Sequence, residues 1–122
     1  MEFKNYTGDL LTLLCSGREV ILPSDGYAEV AIENYSIGEL YLTNDGSAVG
    51  VPSYAPRAAR GPDGNPEVTG LPPDRPGVVY IVHREVAETL KDHRGDLMYP
   101  YITVPTRTRG RITCRGLAFP TK

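Results

Sequence analysis

Apolar and polar positions along this chain fall into short runs, and most of them carry the period of a β-strand. Leu10-Leu11-Thr12-Leu13-Leu14-Cys15 is apolar, Ser16-Gly17 reads as a turn, and Glu19-Val20-Ile21-Leu22 follows as a second strand. Pro23-Ser24-Asp25-Gly26 is a strong turn signal. From Tyr27 to Glu33 the alternation is clean. Ala28, Val30 and Ile32 point one way while Tyr27, Glu29 and Glu33 point the other, as in a half-buried antiparallel strand. Asn34 to Gly38 predicts a turn, Glu39 to Thr43 another strand, and Asn44-Asp45-Gly46 a hairpin-type turn.

From Gly46 to Gly77 the texture changes, with seven of the eleven prolines in this stretch and glycines between them. Proline lacks the N–H that a ladder needs, so a long Pro/Gly-rich loop is predicted at about 46–77. Order returns with Gly77-Val78-Val79-Tyr80-Ile81-Val82, whose continuous β-branched character predicts a central strand buried on both faces. One helix is predicted near residues 84–93, where Val86, Ala87 and Leu90 share a face and Glu85, Glu88, Lys91 and Asp92 look outward, with Gly95 ending it. Tyr101 to Val104 and Arg111 to Cys114 predict a closing hairpin with its turn near Thr108-Arg109-Gly110. The pattern as a whole predicts an α+β fold: a mostly antiparallel β-sheet, small barrel or sandwich-like, with one helix against it.

Length makes this a single domain over 1–122, large enough for one core without metal or disulfide staples. No apolar run approaches the length of a bilayer span, and Met1-Glu2-Phe3-Lys4-Asn5 does not resemble a secretion signal. A cytoplasmic protein with no membrane partner is expected. Cys15 and Cys114 each sit in an apolar stretch and read as buried small hydrophobes. Two isolated cysteines and two histidines ten residues apart, His83 and His93, lack the grouping of a zinc site. Neither metal nor cofactor is expected.

Charge is lopsided although the net is only −2: residues 1–56 carry eight acids and two bases, net −6, and residues 57–122 carry seven acids and eleven bases, net +4. Ten of the thirteen basic residues are arginine, whose flat fork suits phosphate and carboxylate recognition. From Pro105 onward there are four arginines, one lysine and no acid, which points to an anionic partner.

The segment Gly70-Leu71-Pro72-Pro73-Asp74, followed by Pro76-Gly77-Val78-Val79-Tyr80-Ile81-Val82-His83-Arg84-Glu85-Val86-Ala87, is distinctive. So are Arg94-Gly95-Asp96-Leu97-Met98-Tyr99-Pro100 and Gly110-Arg111-Ile112-Thr113-Cys114-Arg115-Gly116-Leu117. Together they resemble a family of small, largely uncharacterised phage and actinobacterial proteins. That family reads approximately G-L-P-x-P-x-x-G-x-Y-Y-I-V-S-x-x-V-A, then R-x-D-L-x-x-P, then N-G-R-I-x-G-C-R-x-L. Asn5-Tyr6-Thr7 and Leu22-Pro23-Ser24 look like its opening, N-L-T-P-H and a P-S-G turn. The chain departs from it at Gly8-Asp9, where the family has Pro-His, at His83, where it has Ser, and at Arg107 and Arg109, where acids are usual. The resemblance implies phage or mobile-element origin and no particular activity.

Four sets of candidate residues emerge. Arg107, Arg109, Arg111 and Arg115 are all odd-numbered, so on one straight strand they would share a face and cradle phosphates. The simpler alternative is a hairpin tip carrying arginines for solubility, because Arg109-Gly110 looks like a turn. His83 and Arg84 lie at a strand-to-helix junction, where an anion could be held. The alternative there is a histidine that caps the helix or packs under a loop. Tyr54, Tyr99 and Tyr101 lie on or beside predicted loops, available for stacking on a base or as ordinary strand tyrosines. Arg94-Gly95-Asp96 spells an integrin-attachment tripeptide, but local pairing within a turn is the expected role.

No G-x-S-x-G elbow, P-loop or G-x-G-x-x-G appears, so no enzyme is expected. The expected class is a non-enzymatic binder, foremost a counter-defence protein that sequesters a nucleotide immune signal or other anionic small molecule. The alternative is a protein-binding module, such as an inhibitor of a host defence protein or a small virion component. Duplex DNA is disfavoured by the net negative charge, and a homo-oligomer stays open.

Overall fold

The computed structural model describes residues 1–62, 64–106 and 108–120. It has an α+β architecture, rich in strand, with one short helix. The strands are β1 (Glu2–Asn5), β2 (Leu10–Cys15), β3 (Arg18–Leu22), β4 (Glu29–Val30), β5 (Ile32–Asn44), β6 (Ser47–Ala58), β7 (Val68–Thr69), β8 (Val78–Ile81), β9 (Leu97–Val104) and β10 (Arg111–Ala118). The helix α1 (Arg84–Thr89) lies between β8 and β9. The chain divides into two compact units, residues 1–30 with 68–122, and residues 31–67.

The first unit is a six-stranded sheet in the order β1-β8-β9-β10-β2-β3. β9–β10 and β2–β3 pair antiparallel, as the sequence pattern predicts, whereas β1–β8, β8–β9 and β10–β2 pair parallel. Adjacent parallel strands need a crossover, and α1 supplies it between β8 and β9. The helix is shorter than the predicted 84–93. It closes at Leu90, and tight turns holding His93 N–H and Arg94 N–H to the Leu90 carbonyl replace its last turn.

The sheet must curl. β1 and β2 are four strand spacings apart in it, which is about 19 Å if flat. The chain from Asn5 to Leu10 reaches only about 17 Å when fully extended, and it bends at Gly8 (φ +81°). The core carries the same message. Leu11 of β2, Ile81 of β8 and Cys114 of β10 form one fully buried cluster, although β9 and β10 separate β2 from β8 in the sheet. Tyr80, with Val78 on the same face of β8 and Val82 just beyond it, packs with Val86, Ala87 and Leu90 from the helix segment. β8 is thus buried on both faces, which is why it reads as an unbroken apolar run.

Cys15 corrects an expectation: it is exposed, at the hairpin end of β2, while Cys114 is buried. Burial pushes the Cys114 thiol above its ordinary value. A thiol reagent is therefore expected to titrate one cysteine at once and the second only after denaturation. Two fast thiols would mean that the interior of the curl opens readily.

The second unit is a β5–β6 hairpin running from Ile32↔Ala58 to Asn44↔Ser47. Its turn holds Asp45 and Gly46 at φ +50° and +79°, the paired positive values of a type I′ turn, as Asn44-Asp45-Gly46 predicts. The rest differs from the sequence reading. The predicted turn at Asn34 to Gly38 is an irregularity between Ser36 and Gly38 within one continuous strand, with Gly38 at φ +95°. The predicted loop from 46 is strand through Ala58, with Pro52 opposite Glu39 and Pro56 opposite Asn34. A two-stranded ribbon leaves one edge of each strand unpaired, so a proline whose missing N–H would face outward costs the ladder nothing.

Candidate functional site

Asn5 organises the region. Its side chain is buried and uses its whole hydrogen-bonding capacity. The amide N–H₂ donates to the carbonyls of Asp9 (2.8 Å) and Leu22 (2.8 Å), and the amide oxygen accepts from the N–H (3.0 Å) and hydroxyl (2.6 Å) of Thr7. The backbone continues the closure, with Asp25 N–H donating to Asn5 O, Gly8 N–H to Gly26 O and Ala28 N–H to Tyr6 O. Residues 5–8 and 25–28 are thereby laced side by side. At Gly8 an added Cβ would stand 2.8 Å from the Tyr27 ring, so only glycine allows this approach.

Thr7, Gly8, Asp9, Tyr27 and His83 line a hollow of about 390 Å³. His83 occupies the N-cap position of α1 but makes no side-chain cap. Its Nε2 lies 2.8 Å from the Thr7 carbonyl oxygen. A carbonyl can only accept, so Nε2 carries the proton and donates it, and Nδ1 is the ring atom left to present to a ligand. The Tyr27 ring stands edge-on to the imidazole, centroids 6.1 Å apart.

The next residue faces a different group. The Arg84 guanidinium lies 5.6 Å from the Tyr99 ring centroid, and Tyr99 meets Tyr101 edge to face at 6.3 Å. Arg84 is 70% exposed, and its 3.9 Å pairing with Glu88 is loose. Tyr101 is about half exposed. Tyr99, expected beside a loop, lies inside β9 and is buried, because β9 begins at Leu97. Beside Tyr101, Ile102 holds φ +55°, a strained value for a β-branched residue on an exposed strand position.

Of the sequence-predicted residues, Arg84, Tyr99 and Tyr101 are therefore brought together, and His83 is placed beside Tyr27 at the hollow. The arginine series is not brought together. Arg107 lies outside the described residues. Arg109 is in the turn that precedes β10, where Gly110 takes φ +76°, and strand pairing starts at Arg111. Arg111 and Arg115 do share the exposed face of β10, with Thr113 between them. Tyr54 belongs to the hairpin unit, and it is exposed. Arg94 and Asp96 are bound to each other through two hydrogen bonds, 3.0 and 2.7 Å, so the tripeptide closes on itself.

Thr7, Asp9 and Tyr27 were missed by pattern alone. Gly8, Asp9 and His83 line the same hollow. Among the described residues, no group of three His, Cys, Asp or Glu side chains could hold a metal, and no helix is long and apolar enough to cross a membrane. No known family, curated protein or solved structure matches this chain.

Proposed function

We propose that the protein is a non-enzymatic binder whose site is the surface around His83 and Arg84, and that its ligand is a small anion bearing a ring, foremost a nucleotide. One observation carries this reading. Two consecutive residues at the start of α1 each combine a polar group with an aromatic platform, His83 with Tyr27 at the hollow and Arg84 with the Tyr99–Tyr101 pair. The exposed guanidinium suits phosphate, and the half-exposed Tyr101 ring suits stacking on a base. The engagement of His83 Nε2 by a backbone carbonyl favours positioning over proton transfer. The phage or mobile-element setting rests on the motif resemblance, and within it the role is a counter-defence protein that sequesters a nucleotide immune signal.

A thermal-shift screen against cyclic di- and trinucleotides, cyclic ADP-ribose isomers, NAD and short oligonucleotides tests this. A ligand at about a hundred times its Kd stabilises the fold by about 2.7 kcal/mol. That is a shift of several degrees for a domain of this size. Arg84→Glu and Tyr101→Ala are expected to melt within a degree or two of the parent and to lose the ligand shift. Variants that keep the full shift would sink the site assignment, and the absence of any nucleotide shift would sink the ligand class.

The alternative, a protein-binding module, is favoured by a separate observation. The 31–67 unit exposes nine large apolar side chains, among them Leu40, Tyr41 and Leu42.

A further inference from the structure

The hollow bounded by Thr7, Gly8, Asp9, Tyr27 and His83 is built wholly from the 1–30/68–122 unit. Its hydrogen-bonding character follows from which protons are already committed. The Thr7 N–H and hydroxyl both donate to the Asn5 amide oxygen, at 3.0 and 2.6 Å. Gly8 N–H donates to Gly26 O (3.1 Å) and Leu10 N–H to Gly110 O (2.9 Å). Asp9 N–H turns back to the Thr7 hydroxyl oxygen at 3.3 Å. The His83 Nε2 proton goes to the Thr7 carbonyl at 2.8 Å. Residues 7–10 therefore have no backbone N–H left to offer a ligand.

What stays available is of the opposite kind. His83 Nδ1 carries a lone pair, and the side chain caps no helix N–H. Among the described residues the Asp9 carboxylate has neither a hydrogen bond nor an ion pair, since the bonds of Asp9 run through its backbone. An ionised carboxylate only accepts. Asp9 and His83 are both partly buried, so water screens these acceptors less than it would on an open surface. The Tyr27 ring lies against Gly8, is about half exposed, and adds apolar surface.

We propose that this hollow is a sugar subsite that takes the vicinal hydroxyls of a ribose, with the Asp9 carboxylate and His83 Nδ1 as acceptors and the Tyr27 ring against the C–H face of the pentose. The inference rests on the nucleotide reading above and divides the ligand between two neighbouring residues, phosphate at Arg84 and ribose at the hollow beside His83.

Other groups fit the hollow less well. A phosphate is anionic and rich in acceptors, so it would meet the Asp9 charge and a lone pair with no N–H from residues 7–10 to offset them. An ammonium group satisfies the acceptors but not the space. At about 390 Å³ the hollow is an order of magnitude larger than the ~30 Å³ share of one water, so it has room for a ring. A pentose donates two hydroxyl protons to two acceptors and presents an apolar face to an aromatic one, the usual division of labour in a ligand site. A carboxylate accepting from a ribose hydroxyl is also how dinucleotide-binding folds read the sugar.

Isothermal titration of the full chain with the four ribonucleoside 5′-monophosphates and their 2′,3′-dideoxy counterparts is the test. At least one ribonucleotide is expected to bind, and its dideoxy form to bind about 10–100-fold more weakly, the range for losing a hydrogen bond to a charged group. Asp9→Ala is expected to melt like the parent, its carboxylate having no partner to lose, and to bind the two forms alike. The comparison on the parent needs no variant, so it stands even if Asp9→Ala misfolds. Equal binding of ribo and dideoxy forms by the parent overturns the sugar subsite and leaves the phosphate reading at Arg84 in place. No binding by any of the eight overturns both. A ribose preference that survives Asp9→Ala overturns the assignment to this hollow. Displacement of the bound ribonucleotide by putrescine from the parent, but not from Asp9→Ala, gives the hollow to a cation and also overturns the proposal.

Discussion

Asn5→Ala is expected to destabilise the 1–30/68–122 unit by about 3–4 kcal/mol, a large part of what a domain this size has to lose. The side chain is 1% exposed and makes four hydrogen bonds. Its removal takes the side-chain donor from the Leu22 carbonyl and the acceptor from the Thr7 N–H, and leaves the Asp9 carbonyl with the longer 3.3 Å bond from the Thr7 hydroxyl; a buried backbone group left unpaired costs about 1–3 kcal/mol. The alanine also opens a void where the amide stood. The loss is structural as well as local, because these bonds tie the end of β1 to the 6–9 connection and to the end of β3, the two edges that the curl brings together. Asn5→Asp is expected to do no better. A carboxylate accepts from Thr7 but cannot donate to the two carbonyls, and it would face them with a negative charge. Urea unfolding followed by tyrosine fluorescence measures both variants. A loss below about 1 kcal/mol would mean that water takes the place of the amide and that the edges are held by the backbone ladder alone.

That network was invisible in the sequence, and the reason is physical. Three of its four bonds go to Thr7 and Asp9, the fourth reaches Leu22, brought near by the curl, and pattern reading sees period, not closure. What pattern did reveal is a set of strands. Val78 to Ile81 reads as buried on both faces because it is, and Leu10 to Cys15, Tyr101 to Val104 and Arg111 to Cys114 are all strand. The parallel pairings were missed because neither face of a strand records its neighbour's direction.

The errors cluster where one signal has two physical readings. Gly38 was read as a turn, yet one residue with positive φ serves a bulge as well as a turn. Pro52 and Pro56 were read as a loop, yet a ribbon edge tolerates what a central strand does not. Ile32 was expected to face a core on the strength of its alternation with Ala28 and Val30. Strand pairing breaks at Ala31, and Ile32 begins the hairpin with its side chain exposed. Of the candidate site, His83 and Arg84 stood out by their place at a strand-to-helix junction, and Tyr101 by its chemistry, although it lies inside β9. Thr7, Asp9 and Tyr27 were not, since their residue types are ordinary and only the fold makes them neighbours.

Arg94→Ala is expected to cost about 2–3 kcal/mol, less than a fully buried pair would, because both partners retain some contact with solvent. The guanidinium makes a two-point fork with the Asp96 carboxylate and donates a third bond to the Pro72 carbonyl at 2.7 Å. It also lies 5.5 Å from the Tyr80 ring centroid, over a core residue whose hydroxyl reaches the Pro73 carbonyl. The hydrogen bonds that Arg94 donates to Asp96 raise its pKa above the ordinary value despite burial, so the cation persists across the whole working pH range. Removing Arg94 strands the Asp96 carboxylate, whose side chain is 15% exposed, and takes the donor from the Pro72 carbonyl, while the Tyr80 hydroxyl still holds Pro73. The double variant Arg94→Ala with Asp96→Ala should recover about 1 kcal/mol of the loss, because no unpaired charge is then left behind. Arg94→Lys keeps the charge but not the fork, and is expected to lie between the parent and Arg94→Ala. Additive losses in the double variant would mean that the two residues act separately, and that the weight of Arg94 lies in its contacts with Pro72 and Tyr80. Either way the Arg94-Gly95-Asp96 letters describe an inward clamp, with both charged groups spent on each other and on the chain.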